Sequence, residues 1–247
     1  MTARVTALWR HPIKGIGTEA LNAVTLTPDR PFPGDRAWAV HHAGAPIGTT
    51  GWRPCSEFLR GAGGPKLMAV TAGTGPDGAI TLRHPDQDDL TVDPGRMPQS
   101  LLDWIAPLWP AERPAPSRVV RAPDAGMSDA PFPSVSILNA ASLRALSQRL
   151  GQDLDQRRFR GNLWLDGLAP WEEFDMVGRE IAIGTARLRV EERITRCRAT
   201  EANPETGQRD AATLQMLNAG WGHQDFGVYA RVVSGGDVHV GAKIEVM

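Results

Sequence analysis

The chain has 247 residues, enough for one large domain or two small ones. An apolar share of 41%, a charged share of 22% and a net charge of −1 fit an ordinary soluble globular protein and give no argument for nucleic acid or a membrane surface as a partner. Two cysteines exclude a disulfide framework, no apolar run is long enough to span a bilayer, and the first residues lack the apolar stretch of a signal peptide, so a reducing cytoplasm is the expected compartment.

Val5, Ala7 and Trp9 alternate with polar residues and predict a half-buried strand. Residues 21–27, 37–41 and 79–82 also favour strands, punctuated by Gly/Pro/Asp clusters at 31–34, 73–78 and 94–98. Ser100 is the expected cap of a helix whose apolar face is Leu101, Trp104, Ile105, Leu108 and Trp109, with Pro110 ending it. Pro110, Pro114 and Pro116 make the next stretch stiff, and a division into residues 1–115 and 116–247 is placed there. Beyond it, residues 135–138 predict a strand and Asn139 an N-cap for a helix carrying Leu143, Leu146 and Leu150, closed by Gly151. Strands are expected at 163–165, in a hairpin turning at Gly184-Thr185, and at 228–233 and 238–246, with a short helix over 211–218. Many short strands and few helices predict a β-rich α+β fold.

The chemistry centres on Cys197, which has Arg193, Arg196 and Arg198 beside it in sequence. Positive charge favours the thiolate, the form that attacks electrophiles and binds soft metals. Arg158, Arg160 and Asn162 share one face if their segment is a strand, and two guanidiniums with an amide suit a phosphate or carboxylate. Taken singly, those residues, Lys14 and Arg36 read as surface charges. Cys55 reads as structural or incidental. The run Gly15-Ile16-Gly17-Thr18-Glu19-Ala20 has dinucleotide-fingerprint spacing, but β-favouring residues follow where that motif needs a helix, so it is rejected. His41 and His42 point to opposite faces of a strand, no metal-ligand spacing of histidines exists, and Glu172-Glu173 reads as a solvated turn.

Together these pieces resemble one family. Pro12-Ile13-Lys14 and Gly34-Asp35-Arg36-Ala37-Trp38 resemble the N-terminal β-barrel domain that precedes MOSC domains. Arg158-Phe159-Arg160-Gly161-Asn162, Pro170-Trp171-Glu172-Glu173, Thr195-Arg196-Cys197, Asn203-Pro204-Glu205-Thr206-Gly207, Phe226-Gly227-Val228-Tyr229-Ala230 and Val240-Gly241 resemble the MOSC domain itself. The resemblance implies a β-barrel-like domain followed by a MOSC β-barrel domain with a few short helices. It also implies a molybdenum cofactor, in which a phosphate-bearing pterin dithiolene carries the metal. By analogy with the amidoxime-reducing component and its bacterial relatives, Cys197 would ligate molybdenum and Lys14, Arg36 and Arg160 would contact the pterin or its phosphate. Arg158, Asn162, Thr195 and Arg196 complete the expected cofactor-binding set. The implied activity is reduction of a small N-hydroxylated substrate. Two cysteines are too few for a four-cysteine iron–sulfur cluster, so the electrons would come from a separate redox protein. The alternatives are a carrier that hands on cofactor or sulfur without turnover, and a scaffold that binds neither. Three positions depart from the relatives: Gly15 stands in place of serine, Gly161 in place of proline, and Ile194 in place of a cysteine. Glycine at 161 is expected to loosen its loop.

Overall fold

Alternation of apolar and polar residues builds most of the strands of this chain. The computed structural model describes residues 3–46, 51–124 and 126–247. The first elements are β1 (Arg4–Arg10), β2 (Glu19–Leu21), β3 (Ala23–Leu26), β4 (Trp38–His42), β5 (Thr71–Thr74), β6 (Ile80–His84), β7 (Gln87–Val92) and α1 (Pro98–Ile105). Then come β8 (Pro116–Arg121), β9 (Val135–Asn139), α2 (Ala140–Leu150), β10 (Leu163–Asp166), β11 (Glu180–Ile183) and β12 (Ala186–Thr195). The last are α3 (Thr213–Trp221), β13 (Asp225–Ser234), β14 (Gly236–His239) and β15 (Ile244–Val246). No helix among the described residues is long and apolar enough to cross a membrane.

An eight-stranded sheet runs β15-β11-β12-β13-β9-β10-β1-β2, and within it only β9 and β10 pair in parallel. Alternate residues such as Leu188 and Val190 of β12 point into a core with Val5, Leu8, Ile137, Leu163 and Ile181. Backbone bonds from Val5 N to Ala242 O (2.9 Å) and from Ile244 N to Ala3 O (3.0 Å) tie the chain between β14 and β15 back onto its first residues. The sheet therefore curls toward closure. A second core joins Ile13, Ile16, Val40, Leu59, Leu82, Leu101 and Ile105 around the smaller sheets. β8 pairs with β4, and β1 lies inside the large sheet, so strand pairing crosses residue 115 in both directions.

Several local expectations need correction. Residues 21–27 form two strands, because the chain changes partner at Asn22: β2 pairs with β1 and β3 with β14. Helix α1 starts at Pro98, not after Ser100, since proline at the first position brings a helical φ and needs no donor. Its face continues through a tight turn at Ala106–Leu108 that still buries Leu108. The last helix lies two to three residues later than expected and ends at Gly222, whose φ is 75°. Residues 238–246 divide at Gly241 as the chain passes from the β3 edge to the β11 edge. The residues after Gly15 turn back through Ile16 N to Ile13 O (3.0 Å) and lead into β2, as the rejection of a dinucleotide site requires.

Helix α2 has the expected ends: the Asn139 side chain accepts from Ala141 N, and Gly151 closes it at φ 65°. Glu173 does not lie in a solvated turn. It is fully buried, accepting from Asn139 Nδ2 (2.8 Å) and Ser142 Oγ (2.9 Å) at the helix N-terminus, and burial raises its pKa above the usual carboxylate range. Glu173→Ala would leave the Ser142 hydroxyl without its acceptor and Asn139 Nδ2 with only its bond to Ala169 O, and chemical denaturation should register a loss of about 1–3 kcal/mol.

Candidate functional site

Cys197 is placed by the end of β12. The β12–β13 register shifts between Arg193 and Thr195, and such a bulge re-aims the residues that follow. The Cys197 side chain is exposed, while its carbonyl accepts from Thr200 N and Thr200 Oγ1, both at 3.2 Å, opening a tight turn at Arg198–Glu201. The neighbouring arginines are engaged elsewhere. Arg193 lies over the Phe174 ring at 4.3 Å, Arg198 pairs with Glu201 at 3.0 Å, and Arg196 donates to the carbonyls of Phe159 (2.7 Å) and Phe226 (2.8 Å). Beyond Arg196, cation enrichment around the thiol comes from segments distant in sequence. A cavity of about 250 Å³ is lined by Cys197 together with Lys14, Arg36, Arg60, Arg158, Arg160 and Arg196, and by a single carboxylate, Asp129. Of the eight residues expected at a site, seven line this cavity: Lys14, Arg36, Arg158, Arg160, Thr195, Arg196 and Cys197. Asn162 does not. Its amide is spent inside the fold, accepting from Ser136 N and Oγ and donating to Trp9 O.

Backbone pairing brings the N-terminal basic residues together. Arg36 N donates to His11 O (2.6 Å), Trp38 N to Pro12 O (3.1 Å) and Lys14 N to Trp38 O (2.7 Å), so the Pro12–Lys14 run lies alongside β4. Buried Lys14 donates through Nζ to Met127 O (2.7 Å) and Asp129 Oδ1 (2.6 Å), and burial lowers its pKa. Some burial works to raise the Asp129 pKa, but Lys14, Arg36 and Arg60 outweigh it and hold the carboxyl below its ordinary range. Arg36 is ion-paired with Asp35 and donates to Arg160 O at 3.2 Å. Beneath that pair, His11 contributes both its backbone N (2.7 Å) and Nδ1 (3.0 Å) to Asp35 Oδ1. Burial, helped by Arg160, lowers the His11 pKa to about 3, so the ring is neutral and Nδ1 is the donor.

Arg158 and Arg160 do not share a strand face. Gln156–Phe159 is a tight turn and Arg160 follows it in the left-handed region at φ 46°, because stacking of Phe159 on Phe226 (4.0 Å) pulls the segment toward β13. Arg158 is fixed by Asp210 at 2.7 Å and by Glu201 O at 3.2 Å. Arg160 is 8% exposed; burial first, then Arg36, lower its pKa to about 9, and its Nη1 has no hydrogen-bond partner. A buried guanidinium edge without an acceptor is costly, and an anion in the cavity would remove that cost. Arg36 also has positive φ (48°), so two of the four described non-glycine residues in that strained region line the cavity.

Sequence reasoning missed His11, Cys55, Arg60, Asp129 and Tyr229. The chain has two cysteines and both line this cavity, so cysteine scarcity was the one available signal. Asp129 and Tyr229 arrive by long-range contact and carry no local pattern. Gly161 does not loosen its loop: an added Cβ would meet Leu138 Cδ1 at 2.0 Å, and the next residue is pinned by Asn162 N to Ser136 Oγ (2.9 Å). Gly15, at φ 75°, leaves no room for a side chain, since a Cβ would stand 2.6 Å from Leu59 O and 2.7 Å from Arg60 Cα. Gly15→Ser should therefore lower stability by about 2–3 kcal/mol in a thermal or denaturant melt.

No cluster of three or more metal-ligating side chains occurs among the described residues. The donor set at the cavity, one exposed thiol amid cations, fits a metal delivered on an anionic organic carrier that brings the other ligands. Comparison with known proteins bears on that fit. The family model described as the MOSC N-terminal beta barrel domain matches residues 2–103, and that of the MOSC domain matches residues 127–245. A stretch of 105 residues is 31% identical to molybdenum cofactor sulfurase from Anopheles gambiae, covering 38% of this chain and 13% of that protein, so the chain spans only a small part of this relative. Similar solved structures include the YuaD protein from Bacillus subtilis (15% identity, TM-score 0.49, covering 100% of this chain and 96% of that one). Another is YiiM from Geobacillus stearothermophilus (19% identity, TM-score 0.34, covering 46% and 53%).

Proposed function

This chain belongs to the MOSC family, and from that membership we propose that its cation-lined cavity binds the molybdenum cofactor and that the protein reduces an N-hydroxylated compound. The observation that carries the proposal is an exposed thiol, Cys197, sharing one cavity with six cationic side chains, two of which, Arg158 and Arg160, each keep a buried N–H unpaired. Cys197 is the protein's ligand to the metal, as a soft thiolate suits a sulfur-rich centre. Arg160 holds the anionic carrier, while Lys14, Arg36, Arg158 and Arg196, each engaged by a carboxylate or carbonyl, keep the surrounding loops and the cavity's positive charge in place. The cofactor, when bound, supplies the two-electron oxygen-removing chemistry. Reduction of an N-hydroxyl to N–H consumes two electrons and two protons and releases water. The electrons come from a separate redox protein, since the two cysteines cannot hold a four-cysteine iron–sulfur cluster.

A second reading, transfer of cofactor or sulfur without turnover, draws on the partial likeness to a molybdenum cofactor sulfurase and on the exposure of Cys197. An artificial electron donor separates the two. Steady turnover of N-hydroxylated compounds supports the reductase. Absence of turnover, with release of pterin or sulfur to an acceptor enzyme, supports the carrier.

A further inference from the structure

We propose that Arg60 receives a negatively charged oxygen group of the ligand held in this cavity, an inference that rests on the cavity being the ligand site proposed above. Four of the six cations lining the cavity are already engaged. Lys14 is held by Asp129 and Met127 O, Arg36 by Asp35 and Arg160 O, Arg158 by Asp210 and Glu201 O, and Arg196 by the carbonyls of Phe159 and Phe226. Arg160 keeps Nη1 free, and Arg158, although held at its two Nη atoms, keeps Nε free. Arg60 has no carboxylate within ion-pair distance among the described residues, and its guanidinium has one described hydrogen bond, from Nη1 to Cys55 Sγ at 2.9 Å.

That bond is easily exchanged. Burial, followed by the charge of Asp129, pushes the Cys55 thiol up, so it stays protonated at neutral pH and is a weak acceptor. A phosphate or carboxylate oxygen accepts from a guanidinium far more strongly, in a shape the planar fork matches.

The fold also delivers Arg60 deliberately. Gly15 has no side chain, and the Leu59–Arg60 backbone packs directly on it. Leu59 N donates to Val40 O at 2.8 Å, and Arg60 O accepts from Gly63 N (2.9 Å) and Gly64 N (3.0 Å), so the backbone on both sides of the residue is fixed. Arg60 thus enters from the wall built by the first half of the chain, and Arg160 and Cys197 from the second half. A ligand gripped by Arg60 and Arg160 spans the two.

Inorganic phosphate titrated calorimetrically into the metal-free full chain at low ionic strength tests the assignment. Arg60→Ala is expected to weaken phosphate binding by about tenfold or more and Arg60→Lys by less, as suits loss of a charge-assisted bond. Arg30→Ala, at an exposed pair with Asp124, should bind like the unaltered chain. If Arg60→Ala fails to fold, Arg60→Met, which keeps most of the stem, takes its place. Equal affinity in the unaltered chain and the Arg60 variant overturns the proposal, as does absence of any phosphate binding by the unaltered chain. With loaded protein, two N-hydroxylated compounds differing by one carboxylate locate the source of the oxygen group. A KM raised only for the acid assigns it to substrate, and an unchanged KM with faster cofactor loss assigns it to the cofactor's phosphate. The titration needs no molybdenum, so its failure is separable from failure of the cofactor reading.

Discussion

Cys197→Ala is expected to abolish donor-driven reduction, by at least about a thousandfold in kcat, while leaving the melting temperature nearly unchanged. Both halves follow from position. The side chain is exposed, caps nothing, and contributes no packing to the cores, so its removal leaves the fold intact. As the proposed protein ligand to the metal, it would take with it an interaction that no other residue of the set replaces, and loss of a group acting directly at the reacting centre costs on this scale. Cys55 offers no substitute, because its thiol is partly buried and burial keeps it protonated. Retention of full turnover in Cys197→Ala would rule out metal ligation by this residue.

Acidification should destabilise the chain through His11 well before Asp35 contributes. The folded pKa of His11 is about 3 and the unfolded value is 6.5, so the unfolded state takes up a proton first. For a pKa depressed on folding, stability is complete above the unfolded value and falls as pH drops toward the folded one. Each pH unit in that window costs about 1.4 kcal/mol, so between pH 6.5 and 4.5 the loss is on the order of 2–3 kcal/mol. Asp35, also held well below its ordinary range, adds its share only nearer pH 4 and below. Urea denaturation at several pH values checks this by difference. Relative to His11→Asn, the unaltered chain should lose stability on acidification with that extra slope. Parallel pH profiles for the two proteins would contradict a buried neutral His11.

Local chemistry explains which parts of the fold could be read from the sequence. Helix α2 was legible because Asn139 and Gly151 mark its two ends and its leucines repeat at helical spacing. The β11–β12 hairpin was legible because Gly184 takes positive φ (59°) between two alternating runs. Partner exchange between strands was not, since the break at Asn22 depends on β14, more than two hundred residues away. At the site, the basic residues and Cys197 could be found through an ordered set of weak motifs. The groups that decide which cations are free could not. Asp35 neutralises Arg36, Asp129 occupies Lys14, and Asp210 fixes Arg158, and two of these three pairings span more than fifty residues. Alternation puts Arg158 and Arg160 on one face only if their segment is a strand, and aromatic stacking of Phe159 bends that segment into a turn.

The most direct measurement is molybdenum and pterin content per chain, for protein made in a host that synthesises the cofactor. Both should approach one equivalent in the unaltered protein, with molybdenum lost in Cys197→Ala and pterin lost in Arg160→Ala. Protein purified from such a host with neither metal nor pterin would contradict a cofactor site in the cavity lined by Lys14, Arg160 and Cys197.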